Sequence, residues 1–469
     1  MLMLNTFLQK LMHLGLQPQV VLKRFMRIFA GTNAEYPRTL IGLILATTVI
    51  VSPAAMAQIT PALPSIPPGV FKITDYGAVG NGVITNSVAI QKTVNAALAA
   101  GGGTVEVPAG VFLSGPFTLG SRIKFQLDSG ATLLVLPYGS YPPGKKRFGH
   151  KKLNYQALIT VDNAHDIEFA GPGKIDGQGA PWWKAHLLNS RPYMLHLDSC
   201  QRVFIHDWNS VNPPMKHIVF DGDDSDITVQ DCTNVASYPS PNTDCLNLQG
   251  NRCLVRDCVF HGGDDNVAMG RSSGPGMNIL ITNITCGTGH GISIGSVTEG
   301  GISNVTVVNC TFSNTDYGLR LKADSDRGGV VQDIKFQNIQ LTGVRSPILI
   351  YGYYDEDKSI NVSPSKAASY KPEPVTKRTP VWHDISFSNI IASSTSDAGM
   401  IWGRPEMLVS NVTLDHVTIN SPGSFHIYNA RDIHLTDTKI NSSSGTPFVI
   451  YNAQVITNGD TTEISAASN

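Results

Sequence analysis

The chain has 469 residues with 35 Lys and Arg against 36 Asp and Glu, a formal net charge of −1, so no global field draws it to nucleic acid or to an anionic membrane. Charged residues are only 15% and glycine is abundant at 44 residues, which excludes a chain of charged surface helices and favours short strands joined by turns. The length is large for one compact core, but a solenoid grows coil by coil and absorbs it in a single domain. In chain order, residues 1–57 read as an export segment. Arg38 precedes an apolar run from Leu40 to Val51, and Ala55-Met56-Ala57 supplies a small-x-small cleavage pattern before Gln58. A run of about 12 apolar residues falls short of the about 20 that cross a bilayer. A buried helix or a short anchor is the plainer reading of it. With the segment removed, the product is expected to be secreted or periplasmic, with no stable membrane insertion. Pro61, Pro64, Pro67 and Pro68 make residues 58–68 a stiff linker into a domain spanning 69–469.

The segment Asn86 to Leu98 predicts a short helix. Asn86 is its expected N-cap, Ile90, Val94, Ala97 and Leu98 fall on one face, and Gly101 to Gly103 end it. Beyond it one phrase recurs: alternating apolar residues, then Asp or Asn, then often Cys, Ile or Val. It falls at Asp207, Asp231, Asp257, Asn283, Asn309, Asn338, Asn389, Asp415 and Asp437. The steps from 231 to 257, 283 and 309 are 26 each, and 389 to 415 is 26 again. Ile227 and Val229, or Val305 and Val307, give each phrase strand alternation, and no repeat holds a helical period. Strands without crossover helices, repeated at one coil length, imply an all-β fold: a right-handed parallel β-helix, a solenoid whose open N-terminal end the short helix caps. Lys358 to Arg378, rich in Lys, Ser and Pro, reads as a loop excursion from one coil. The seven cysteines suggest disulfides in an exported protein. Cys232, Cys258 and Cys310, however, occupy equivalent repeat positions and fit a ladder of small buried residues. No Cys-x-x-Cys pair suggests zinc, and neither a metal nor a cofactor is expected.

Four coils align on Leu246, Val267, Ile292 and Leu321. Residues at one place in successive coils stack about 4.8 Å apart. That alignment puts Asp244, Asp265, His290 and Arg320 in one exposed column, with Asp264 and Lys322 beside it. Clustered carboxylates repel one another, and at least one must gain proton affinity. A solvated polar face neutralised by Arg320 and Lys322 is the plainer reading, but structural ladders stack neutral groups. The cluster suits glycoside hydrolysis, which needs one protonated carboxyl for the glycosidic oxygen and one carboxylate to activate water. Arg320 and Lys322 suit a sugar carboxylate.

These residues resemble the polygalacturonases, glycoside hydrolase family 28. That family carries Asn-Thr-Asp, Asp-Asp, Gly-His-Gly and Arg-x-Lys in order. Here they are Asn242-Thr243-Asp244, Asp264-Asp265, Gly289-His290-Gly291 and Arg320-Leu321-Lys322, one per coil. Asp75-Tyr76-Gly77-Ala78, Ile175-Asp176-Gly177-Gln178-Gly179 with Trp182-Trp183, and Gly328-Gly329 extend the likeness over most of the mature chain. The resemblance implies that Asp264 is the general acid and that Asp244 and Asp265 hold and activate the water, giving inversion. It makes His290 a support for the acid and the sugar, Arg320 and Lys322 the galacturonate ligands, and Asn242 a shaper of the site. Cys245, Asn247 and Asn266 depart from the usual Gly, Asp and Cys, so by the resemblance Cys286 lacks its usual disulfide partner, and the residues around Pro213-Pro214 lack the Trp often seen at that place in the family.

The expected function is therefore a monomeric pectin hydrolase whose partner is polygalacturonate. A rhamnogalacturonan or xylogalacturonan hydrolase, a calcium-dependent pectate lyase and a glycan-binding β-helix without activity are the alternatives. His290 is a poor calcium ligand, and Arg320 with Lys322 favours plain galacturonate. Tyr351, Tyr353 and Tyr354 either stack on sugar or pack, with Tyr354 taken as a substrate contact. Trp182 and Trp183 read as structural.

Overall fold

The computed structural model describes residues 59–143, 145–146, 153–185, 190–357, 359, 362–457 and 460–464, so the segment 1–57 lies outside it. Each central coil carries three short strands, one on each of three walls, and each strand pairs in parallel with its counterparts one coil away. On one wall Leu195–Asp198, Ile218–Asp221, Leu246–Leu248, Val267–Met269, Ile292–Gly295 and Tyr317–Lys322 follow one another. A second wall runs through Gln201–His206, Ser225–Gln230, Asn251–Arg256, Gly276–Thr282 and Ile302–Val308, and a third through shorter strands such as Thr233–Val235 and Val259–His261. This is the right-handed parallel β-helix that the repeat implies. Its inward columns, for example Val203, Ile227, Cys253, Ile279 and Val305, are buried, each such side chain contributing roughly 1.5–3 kcal/mol.

The recurring Asp or Asn turns the chain between walls. Asp207, Asp231, Asp257, Asn283, Asn309, Asn338, Asn389 and Asp437 have φ between 45° and 57°, the left-handed region that short polar side chains tolerate. Their amides also bond from coil to coil: Asn283 donates to Asp257 at 3.2 Å, Asn338 to Asn309 at 3.2 Å and Asn389 to Asn338 at 3.1 Å. One member differs from expectation. Asn389 is matched by His416 (φ 53°), not Asp415, because Ser388 pairs with Asp415 and Ile390 with Val417. The residue after each turn enters the interior. Trp208, Cys232, Cys258, Ile284, Cys310 and Ile339 form that ladder, and all seven cysteines are buried free thiols.

A helix at Ser87–Ala99 covers the first coils, burying Ile90, Thr93, Val94 and Ala97. Two expectations change here. Leu98 is 38% exposed, and Thr93 takes the inner face by donating its hydroxyl to Ala89 O at 2.9 Å. Asn86 precedes the helix but does not cap it. Its side chain accepts from Val79 N at 2.7 Å and donates to Ile84 O at 2.8 Å, tying neighbouring backbone segments together. The proline-rich segment lies along the solenoid, with Ala62 N donating to Asp226 and Ser65 N to Asp166. At the far end Asp460–Ile464 pairs antiparallel with Phe448–Thr457. The excursion after Tyr351 contains a helix, Pro364–Ser369, capped by Ser363; Lys358 lies outside the described residues. Among the described residues no helix is long and apolar enough to cross a membrane.

Candidate active site

The register of the first wall defines the site. Ile218, Leu246, Val267, Ile292 and Leu319 stack inward, and two positions before each, where the chain is only entering its strand and strand alternation does not yet set direction, stand Lys216, Asp244, Asp265, His290 and Tyr317. Backbone bonds hold this column, with His217 N donating to Asp244 O and Cys245 N to Asp265 O, each at 3.0 Å. The expected alignment on Leu321 is therefore wrong by two residues. Arg320 pairs with Ser293 and Lys322 with Gly295, beside the column and not in it. A slip of two keeps every side chain on its own face, so alternation in Leu319-Arg320-Leu321 cannot detect it. Nor are the column and its neighbours exposed: Asp244 is 5% accessible and Asp265 4%, Arg320 and Lys322 beside them are 2% and 4%, and Asp264 and His290 are half-buried.

A cleft of about 460 Å³ opens over this floor. Asn242, Asp244, Asp264, Asp265, Lys322 and Tyr354 all line it. His290 stands behind Asp264, its Nδ1 at 3.0 Å from Asp264 Oδ1. Tyr354 sits over the Lys322 ammonium, 4.8 Å from Nζ to ring centroid. Tyr351 and Tyr353 are buried in packing and do not reach the cleft. Trp182 is buried among Tyr138, Tyr141 and Tyr155, and Trp183 donates to Pro213 O, so both are structural.

The motif glycines have local causes. A Cβ on Gly289 would lie 2.5 Å from Asp264 O, and one on Gly291 2.3 Å from Gly318 O, both at positive φ. Only glycine lets the His290 turn approach the Asp264 backbone so closely. Asn266 fastens that turn: Nδ2 donates to Phe260 O and Thr288 O at 3.0 Å, and Oδ1 accepts from Gly291 N at 2.9 Å. Thr243 does likewise one coil earlier, donating to Ser240 O and accepting from Gly263 N.

Each carboxylate has its own partners. Asp265 lies between Arg320 and Lys322 Nζ (2.9 Å) and accepts from Ser293 Oγ at 2.8 Å. Burial opposes its charge, but the two cations win and hold its carboxyl well below the usual range. Asp264 accepts from Asn242 Nδ2 at 3.1 Å, and Arg191 fixes Asn242 in turn at 3.0 Å. Burial raises Asp264, yet the His290 hydrogen bond leaves it lowered. His290 faces a second carboxylate, Asp316, 3.4 Å from Nε2. Burial works against its charge, but Asp264 and Asp316 push its pKa up to about 9. Asp244 is the member whose proton affinity rises, through burial and the nearby Asp264 and Asp265, with Lys216 opposing.

Asp264, Asp265 and His290 bring ligand-type atoms within 4.8 Å of one another, as a cation site would. Both Asp265 oxygens already face cationic nitrogens, however, and His290 Nδ1 faces Asp264. The donor set thus suits internal ion pairs better than calcium, which takes six to eight oxygens. Sequence reasoning missed Lys216, Arg191, Tyr193 and Asp316, and singled out Asn247 only as a departure from the usual Asp. Lys216 was recoverable by extending the coil alignment one step back, to Ile218. Arg191 and Asp316 carry no periodic signal, because they lie in turns.

Residues 100–424 match the family described as Glycosyl hydrolases family 28. The chain belongs to that family. It is 32% identical over 336 residues to a probable polygalacturonase from Arabidopsis thaliana, covering 70% of this chain and 68% of the relative. An endo-polygalacturonase from Pectobacterium carotovorum subsp. carotovorum is 29% identical over 372 residues, covering 74% of this chain and 87% of that one. The crystal structure of an exopolygalacturonase from Thermotoga maritima superposes with a TM-score of 0.68 at 20% identity, over 88% of this chain and 98% of the other, which supports the β-helix fold. The family 28 chain is thus a glycoside hydrolase of the polygalacturonase type, from a family that acts on pectin.

Proposed function

We propose that the protein is a secreted, monomeric polygalacturonase that hydrolyses α-1,4-linked galacturonic acid in pectin with inversion. The observation that carries this reading is the set of three carboxylates on one cleft, each in a different electrostatic setting, with Lys322 at its edge. Asp264 donates a proton to the glycosidic oxygen as the bond to the anomeric carbon breaks. A water attacks that carbon from the opposite face and gives up its proton to the Asp244–Asp265 side. Within that pair Asp244 is the better proton acceptor, because Asp265 is neutralised by Arg320 and Lys322.

Asp264 must carry a proton when the glycosidic bond breaks, although His290 favours its ionised form before the substrate binds. The pair holds that proton one hydrogen bond away, on His290 Nδ1. An anionic substrate and loss of water raise the proton affinity of Asp264, so the proton moves to it. His290 is then neutral and still donates Nε2–H toward Asp316. Lys322, on the cleft under Tyr354, takes the galacturonate carboxylate. Arg320, its guanidinium on Asp265 and Ser293, acts on the substrate through Asp265, while Tyr354 offers a ring to the sugar and Asn242 fixes the acid.

The test compares polygalacturonate, highly methyl-esterified pectin, rhamnogalacturonan and xylogalacturonan as substrates. The proposal expects new reducing ends, without an unsaturated product, chiefly from polygalacturonate. Preference for a branched or mixed backbone contradicts the substrate, and an unsaturated, chelator-sensitive product contradicts hydrolysis. A ladder of oligomers would mark internal cleavage, and monomer or dimer alone chain-end attack.

A further inference from the structure

We propose that Lys216 is a positioning residue that keeps Asp244 ionised and fixes its carboxylate for the attacking water. The inference rests on Asp244 serving as the base, as above. Lys216 stands one coil before Asp244 in the same column, its Nζ 3.2 Å from Asp244 Oδ2. Asn247 Nδ2 reaches the same oxygen at 2.9 Å. Both donors thus converge on Oδ2, and no described residue donates to Oδ1, leaving that oxygen for a water.

The surroundings give Lys216 work that no other group does. Asp265 has Arg320 and Lys322, and Asp264 has His290. Asp244 is as buried as Asp265 and faces two other carboxylates, so without a cation it would hold its proton and fail as a base. Arg191 also faces Asp244, but its guanidinium bonds Pro214 O, Pro241 O and Asn242 Oδ1. Lys216 is itself faced by the Tyr193 phenol, Asp221 and Asp264. Tyr193 is uncharged at neutral pH, and Asp221 is engaged by His196 and by Gln249. Of these groups, Lys216 is the cation in direct contact with Asp244.

Removing the cation disfavours ionised Asp244, so its midpoint rises and the ionised fraction falls on the acid side. An opposite charge at this range shifts a carboxyl by about 1–3 pH units. The experiment measures kcat/KM on polygalacturonate against pH, at constant ionic strength, for the wild type and for Lys216→Gln, Lys216→Met and Lys216→Arg. The neutral variants should move the acid limb up by about one pH unit or more, a loss of about tenfold or greater on that limb that shrinks as pH rises. Lys216→Arg should keep the limb in place. An unmoved limb in a folded neutral variant overturns the proposal, and so does a rise in KM alone, which would make Lys216 a substrate ligand. If the wild type proves inactive on polygalacturonate, the enzymatic reading fails separately. Carboxyl carbon NMR titration of Asp244 then decides on Lys216: the neutral variants must raise its midpoint, and an unchanged midpoint overturns the proposal.

Discussion

Two columns climb the same coils and obey opposite rules. The interior ladder of Trp208, Cys232, Cys258, Ile284, Cys310 and Ile339 stacks neutral groups. The cleft column of Lys216, Asp244, Asp265, His290 and Tyr317 stacks groups that are mostly charged. The neutral ladder needs only volume and burial, so a change is felt as a lost contact. A charged column needs a partner for every member, because an unpaired buried charge costs several kcal/mol. Asp244 and Lys216 find each other within the column, and the other partners come from beside it: Asn247 on Asp244, Arg320, Lys322 and Ser293 on Asp265, Asp264 and Asp316 on His290. The ladder holds the solenoid together by packing, and the charged column is held by ion pairs and hydrogen bonds within and beside it.

That contrast can be broken at several points. The largest effect is expected for Asp264→Asn, which should lower turnover by at least about 100- to 10,000-fold with melting temperature retained. Kinetics and calorimetry on one preparation check it, and near-normal turnover in a folded variant would remove Asp264 as the acid. Arg320→Ala should do both kinds of damage. It leaves buried Asp265 with one cation, a loss of about 3–5 kcal/mol in unfolding free energy, and turnover falls as well. Denaturant titration reads the first, and an unchanged stability would show that the pair does not hold the floor.

The next effect is on pH dependence. His290 is raised from 6.5 to about 9 by Asp264 and Asp316. Its ionic contribution to stability is fully present below its unfolded value and disappears as pH rises through about 9. On the proposed mechanism the proton needed by Asp264 goes with it, so the alkaline limb of kcat/KM should fall in that window. Asp316→Asn removes one of the two anions and should move the limb to lower pH, which a pH profile checks. The smallest effects belong to the neutral ladder and the turns. Cys258→Ala or Asn338→Ala should cost about 1–2 kcal/mol in stability and leave kcat unchanged. A loss of activity without a loss of stability would erase the distinction between the two columns.

The sequence showed most of the solenoid and less of the site, for reasons tied to particular residues. The 26-residue step is legible because a left-handed turn accepts Asp or Asn at one place in each coil. The slip at Asp415 and His416 arises because both are polar and only backbone pairing separates them. Asp244, Asp264, Asp265 and His290 were legible as a group because solenoid ladders rarely stack charge. Arg320 was placed two residues away from its register because Leu319 and Leu321 share a face. The burial of that group was not legible, since it depends on the turns and on the excursion that brings Tyr354 over Lys322. Asn86 looked like a helix cap, but it bonds across the coil, a choice that depends on Leu113 and Val79 and leaves no local trace.

The central claim is that the three carboxylates divide the work of an inverting hydrolysis. Proton NMR of the anomeric region during early digestion of polygalacturonate tests it most directly. The account predicts that the new reducing ends appear first as the β-anomer and only later equilibrate, with Asp264→Asn giving almost none. First appearance of the α-anomer, or of a 4,5-unsaturated non-reducing end alongside the new reducing end, would contradict it.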